Sequence, residues 1–201
     1  MEIYLVRHTT PLVEAGTCYG QADLDVAESF EAEAKAIDGF IPTHIQTIYT
    51  SPLQRCKKLA DRLFVQQEKI IHPHLMELDC GQWEMRKWDD IPRSETEPWM
   101  QNFVHVKVPG GESYIDLHQR CVALFENKLI HEAPLAVVTH AGVIRSTLSH
   151  ITNTALEDSF KVFKIYYGCV IKLYFEKDAW QYEILHNVAP THTEWHRPSY
   201  M

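Results

Sequence analysis

The sequence predicts an α/β fold with a mostly parallel central sheet, helices on both faces and an antiparallel edge strand. Three observations carry this. Short apolar runs without charges recur along the chain, and segments with apolar residues at helical spacing lie between them. The last two runs are separated by a hairpin-like spacing.

The elements follow in order. Ile3-Tyr4-Leu5-Val6 is a continuous apolar run, the pattern of a strand buried on both faces. Thr47-Ile48-Tyr49-Thr50 reads as a second strand. Behind it Ser51 stands as an N-cap with Pro52 at the first helical position, then Leu53, Cys56, Leu59 and Leu63 at helical spacing. A helix carrying Leu117, Cys121, Leu124 and Phe125 precedes a third strand, Leu135 to Thr139, and a helix through Val143, Ile144 and Leu148 follows it. Thr154-Ala155-Leu156-Glu157 has the pattern of a capping box. Cys169 to Phe175 and Gln181 to Val188 read as an antiparallel pair around Glu176-Lys177-Asp178-Ala179.

The 201 residues, 45% hydrophobic and 23% charged, suffice for one core without disulfide or metal support. No repeat or Gly/Ser linker divides them, so the expectation is a single domain over residues 1–201. A net charge of -8 argues against nucleic acid as a partner, because neutralising its backbone needs many clustered Lys and Arg. Five scattered cysteines without a CxxC pair suggest neither a disulfide framework nor a zinc site, which fits a reducing cytoplasm. The N-terminus has neither the basic region nor the apolar length of a signal peptide, and no run reaches the roughly 20 apolar residues of a membrane span. A homodimer is left open.

In a parallel sheet, ligands bind beyond the C-terminal strand ends. Arg7 and His8 end the first strand, Arg55 follows the second by one helical turn, and His140 ends the third. Two guanidinium groups suit a phosphoryl dianion, because Arg forks match phosphate oxygens. A neutral imidazole at such a solvent-facing strand end can attack phosphorus, which splits hydrolysis into two in-line transfers. Glu77 is the candidate proton donor, with Asp79 and Glu84 close enough in sequence to compete for that role. Scattered histidines such as His72, His74, His186, His192 and His196 show no ligand spacing, and Cys80 reads as a packing residue.

Five motifs occur in order: Leu5-Val6-Arg7-His8, Thr50-Ser51-Pro52-Leu53-Gln54-Arg55, Glu77 with Gly81-Gln82-Trp83-Glu84, Pro109-Gly110-Gly111-Glu112-Ser113, and Thr139-His140-Ala141-Gly142. Together they resemble the histidine phosphatase superfamily, the phosphoglycerate-mutase-like fold. The resemblance implies a three-layer α/β/α sandwich without metal or cofactor. It further implies His8 as nucleophile, Arg7, Arg55 and His140 as phosphate ligands, and Glu77 as proton donor.

The segments Arg7-His8-Thr9-Thr10-Pro11 and Gly16 to Asp23 are similar to the α-ribazole phosphatase branch of cobalamin assembly. Four positions depart from the pattern: Thr9 stands where Gly is usual, Glu14 where many members have Asn, and Asp25-Val26 where the branch has Pro-Leu. Glu14 either places a negative charge near the pocket or points outward. Thr9, Gln21 and Trp83 are expected to contact the substrate, with Trp83 and Trp88 placed where a lid over the site would lie. The expected partner is a small phosphate ester. A mutase that returns the phosphoryl group to a second hydroxyl is the runner-up, with Arg86 or Lys87 as the extra cation a glycerate would need. A module that binds phosphorylated partners without turnover is the non-enzyme alternative, and the joint presence of His8 and Glu77 speaks against it.

Overall fold

A computed structural model describes residues 1–190. Within them, strands β1 (Glu2–Arg7), β2 (Thr47–Thr50), β3 (Lys69–Ile71), β4 (Leu135–Thr139), β5 (Val170–Glu176) and β6 (Ala179–His186) form one sheet in the order β3-β2-β4-β1-β5-β6. The first four in that order are parallel, and β5 is antiparallel to both β1 and β6. The helices are α1 (Phe30–Ile37), α2 (Gln54–Leu63), α3 (Arg93–Gln101), α4 (Tyr114–Leu124), α5 (Ile130–Glu132), α6 (Ala141–Thr152) and α7 (Ser159–Val162), with a π-helical turn, Phe125–Leu129, joining α4 to α5.

The charge-free runs follow from burial on both faces. Ile3, Leu5, Leu135 and Val137 pack on one face with Leu117 and Cys121 of α4 and Ile144 and Leu148 of α6. Their alternating neighbours Tyr4, Val6, Ala136 and Val138 pack on the other with Ala34 and Ile37 of α1 and Cys56 and Leu59 of α2. This is the expected three-layer sandwich. Each buried Ile, Leu or Val contributes about 1.5–3 kcal/mol of transfer free energy, so a charge at any of these positions would be costly.

Three local readings need correction. First, α2 begins at Gln54, two residues later than the Ser-Pro pattern suggests. The Ser51 N–H extends the sheet ladder to the Val138 carbonyl (3.1 Å), and Leu53 is still extended. Second, the capping box at Thr154 does not form: a 3-10 turn, Leu156–Asp158, leads into α7, and the Thr154 hydroxyl pairs with Thr152 Oγ1 at 2.8 Å. A capping box occurs instead at Ser113, at the start of α4, where Asp116 Oδ2 accepts from the Ser113 N–H and from its hydroxyl. Third, the hairpin is tighter than read: Lys177 and Asp178 alone connect β5 to β6, both at positive φ (52° and 60°), as a two-residue primed turn requires.

A smaller aromatic cluster lies apart from the main layers. Trp83, Trp88, Ile91, Val108, Cys18 and Cys80 are buried together with Trp99 against them. It joins the segment after β1 to the segment after Glu77, which also meet in a bridge between Thr17 and Lys87.

Candidate active site

Parallel pairing brings the chemistry to one sheet edge. Arg7 lies opposite Thr139, and Thr50 lies opposite Val138, so β1, β2 and β4 end level with one another. Just past these ends, the His8 N–H donates to the Thr139 carbonyl at 3.0 Å. The His8 and His140 rings are 5.0 Å apart, edge to face.

Both guanidinium groups are held by backbone carbonyls. Arg7 donates from Nη1 to Ile165 O (2.7 Å) and lies 3.8 Å over the Tyr167 ring. Arg55, wholly buried in the first turn of α2, donates to Ala22 O (2.7 Å) and Gly20 O (2.6 Å). Gly20 is needed here because a Cβ would sit 1.8 Å from the Leu78 carbonyl oxygen. Arg7 Nε, Arg55 Nε and Thr9 Oγ1 are all buried without a hydrogen-bond partner. Arg7 and Thr9 flank His8 in the chain and the charge of Arg55 acts on His140, so these three atoms are able to serve an oxygen-rich anion, and each costs roughly 1–3 kcal/mol if nothing satisfies it.

The imidazoles differ in what holds them. His8 Nδ1 is 2.7 Å from the Thr9 carbonyl, and a carbonyl only accepts, so Nδ1 carries the proton and the neutral ring has its lone pair on Nε2. His8 is buried beside Tyr167 rather than solvent-facing as its place at the strand end suggests. His140 Nε2 lies 2.8 Å from Ser51 Oγ, with the Cys56 sulfur 3.4 Å away. Burial, then the charges of Arg55, His8 and Arg7, hold the His140 pKa well below the usual histidine range. Its ring is therefore neutral near pH 7. Burial also pushes the Cys56 thiol up to about 12, so it stays protonated.

Glu77 reaches this edge from the loop after β3. Its Oε1 accepts from the Leu78 N–H (2.9 Å) and its Oε2 from the Gly142 N–H (3.0 Å) in the first turn of α6. A Cβ at position 142 would lie 2.1 Å from Glu77 Oε1, so the glycine of the His140-Ala141-Gly142 motif makes room for this carboxylate. The competing acids are engaged elsewhere. Asp79 Oδ1 accepts from the Gly81 N–H, and the Glu84 carboxylate accepts from the N–H groups of Gly20, Gln21, Ala22 and Cys80.

The remaining expected contacts divide. Thr9 is wholly buried next to His8 in the chain, with its Oγ1 unpartnered. Gln21 binds through Nε2 to the Glu77 carbonyl at 3.0 Å, and so joins the Arg55-holding segment to the acid's segment. Trp83 is not brought to the cluster: it is fully buried among the other tryptophans, with Nε1 donating to Glu95 Oε2 at 2.9 Å. Trp88 is buried in the same cluster, so neither indole forms a lid. Glu14 points outward and pairs with Lys87 (2.7 Å), while Arg86 donates to the Asp90 carbonyl. His192 and His196 lie outside the described residues.

Sequence reasoning missed Arg145, one turn beyond Gly142 on α6. Its Nε donates to Phe163 O (3.1 Å), and its guanidinium stacks on Phe160 at 4.5 Å. Burial, then the charge of Arg7, lowers its pKa to about 10. The only hint in the sequence is its helical offset from His140. Among the described residues no group of three or more His, Cys, Asp or Glu side chains could hold a metal ion, and no helix is long and apolar enough to cross a membrane.

The family model "Histidine phosphatase superfamily (branch 1)" matches residues 3–188. The chain belongs to the histidine phosphatase superfamily. Its similarity to known phosphatases supports a phosphatase. An adenosylcobalamin/alpha-ribazole phosphatase of Salmonella typhimurium is 26% identical over 180 residues, covering 84% of this chain and 88% of that protein. A 6-phosphofructo-2-kinase/fructose-2,6-bisphosphatase of Arabidopsis thaliana is 24% identical over 164 residues, but the match spans only 22% of its length. The crystal structure of an alpha-ribazole phosphatase from Shigella flexneri superposes with a TM-score of 0.80 over 99% of this chain and 98% of that one, at 19% identity. That likeness establishes the superfamily fold.

Proposed function

We propose that this superfamily member is a phosphomonoesterase acting through a phosphohistidine on His8, with α-ribazole 5′-phosphate as substrate. The observation that carries the chemistry is the set of buried, unpartnered donors Arg7 Nε, Arg55 Nε and Thr9 Oγ1 together with an imidazole, His8, whose tautomer is set by the Thr9 carbonyl. A phosphoryl group seated there satisfies the donors and faces His8 Nε2. Attack forms the N–P bond and breaks the P–O ester bond, while the Glu77 carboxyl gives its proton to the departing oxygen. Water then attacks phosphorus and returns a proton to Glu77, the N–P bond breaks, and phosphate leaves. The preorganised guanidinium groups stabilise the charge on the equatorial oxygens in both steps. The α-ribazole assignment rests on the Thr9-Thr10 and Cys18 to Gln21 segments and on the Salmonella relative.

One observation favours a second substrate class. Arg145 lies beside Arg7 with the Phe163 carbonyl as its hydrogen-bond partner and no carboxylate in ion-pair distance among the described residues, whereas Lys87 and Arg86 are occupied. A leaving group with its own anion, such as a glycerate, would find its cation there.

A phosphate-release screen over nucleotide, sugar, glycerate and α-ribazole phosphates separates these readings. The expected kcat/KM for α-ribazole 5′-phosphate exceeds that for 3-phosphoglycerate by at least about tenfold, roughly 1.4 kcal/mol of differential transition-state binding. A reversed order rejects the α-ribazole assignment. His8→Ala is expected to abolish turnover and the acid-labile phosphate label that the wild type acquires, and vigorous hydrolysis by that variant would reject the phosphohistidine.

A further inference from the structure

We infer that Arg120, paired with Glu112, is a positioning residue that fixes the backbone of Glu77 and thereby aims its carboxyl at the leaving oxygen. This rests on the reading of Glu77 as proton donor. Arg120 comes from the middle of α4 and is not part of the phosphate pocket. Its guanidinium grips the acid's own segment: Nη1 donates to the carbonyls of His74 and Met76, both at 2.8 Å, and Nη2 to the carbonyl of Glu77 at 2.9 Å. Two further bonds, Nε to Glu112 Oε1 (2.8 Å) and Nη2 to Oε2 (2.9 Å), form a bidentate pair.

Glu112 completes the frame from the other side. Its Oε2 accepts from the Asp79 N–H (3.1 Å), and its own N–H donates to the Asp79 carbonyl (3.0 Å). The chain is thus tied immediately before, at and two residues after Glu77 by one ion pair whose side chains are 14% and 22% exposed. The segment is otherwise irregular: it follows the 3-10 turn Pro73–Leu75 and lies outside every strand and α-helix. A loop without ladder bonds needs such a clamp to hold an acid to the tolerance that proton transfer demands, because a shift of about 1 Å can cost 10²-fold in rate. Lysine cannot replace the fork, since an ammonium group has no planar set of donors for two carboxylate oxygens and three carbonyls.

The test compares Arg120→Lys, Glu112→Gln and Glu77→Gln on an aryl phosphate, whose leaving group needs no proton, and on an alkyl phosphate, whose alkoxide does. Arg120→Lys is expected to slow the alkyl ester at least about tenfold more than the aryl ester, within the 10²–10⁴-fold that general acid catalysis supplies. The double variant Glu77→Gln/Arg120→Lys should show no further selectivity than Glu77→Gln alone, because the effect runs through that carboxyl. Equal losses on both esters in a folded Arg120→Lys protein mean a structural role only and overturn the proposal. If that variant does not fold, Glu112→Gln, which leaves the carbonyl bonds in place, must show the selective loss, and an equal loss overturns it. Selectivity in Glu77→Gln without any in the other two rejects the clamp and spares the acid, while no selectivity in Glu77→Gln rejects both.

Discussion

At the scale of single residues, the site depends on how closely backbone and carboxylate approach. Gly142→Ala places a methyl group 2.1 Å from Glu77 Oε1 and 3.3 Å from Leu117 Cδ1, so the carboxyl must leave the start of α6. The expected result is a loss of alkyl ester turnover on the order of 10²-fold with formation of phosphohistidine from an aryl ester largely retained. The cost in stability is about 1–3 kcal/mol, as for other overpacked sites. Rapid-quench measurement of the labelled intermediate beside a thermal melt checks both, and an alkyl ester rate within threefold of wild type would show that the carboxyl tolerates the shift. His8, His140, Arg7, Arg55 and Glu77, which the fold brings to one sheet edge, were legible in the sequence because each stands in a fixed local motif, whereas the room this glycine leaves for Glu77 was not. Ser51, Arg120 and Arg145 were not, because each acts through a partner 89, 8 or 18 positions away that no local pattern reveals.

At the scale of elements, the strands with charge-free runs were the legible part, since burial on both faces leaves its mark on every residue. Helix α1, short and edged with Glu31, Glu33 and Lys35, and α3, which carries Pro98 within it, have weak periodicity and were missed. Trp83 was misplaced because an indole near a motif looks the same whether it lines a pocket or fills a core. The connection between elements that matters most for binding is the Glu84 carboxylate. It collects four N–H groups, three of them from residues 20–22, and that segment supplies both carbonyls that hold Arg55. Glu84→Ala leaves those N–H groups without an acceptor and frees Arg55 to drift. On the proposed reading, in which Arg55 holds the phosphoryl group in both the ground state and the transition state, the expected effect is a rise in KM and in the inhibition constant of inorganic phosphate by about tenfold or more, with a smaller change in kcat. A fall in kcat at unchanged KM would separate Glu84 from Arg55.

For the molecule as a whole, a chain of net charge -8 concentrates Arg7, Arg55 and Arg145 at one sheet edge with the neutral His140 among them. This arrangement has a consequence for stability against pH. Burial is the first cause that holds His140, His118 and His72 below the usual histidine value of 6.5, and neighbouring positive charge, or a second histidine, adds to it. In the folded protein these rings stay neutral where the unfolded chain already binds protons. The stability they contribute is therefore fully present above about pH 6.5 and is lost as the pH falls below it, by up to about 1.4 kcal/mol per pH unit for each proton. For His140 alone the loss depends on the pocket, since a dianion between Arg7 and Arg55 offsets the charges that press on its ring and favours the imidazolium. Thermal melts at pH 7.5 and 5.5, with and without saturating sulfate, which keeps its charge across that range, should show a smaller acid-induced drop in Tm when sulfate is bound. His140→Asn should narrow the difference between the two conditions while leaving the share of His118 and His72. If sulfate raises Tm equally at both pH values in the wild type, His140 does not titrate against the bound anion, and the electrostatic account of its neutral state fails.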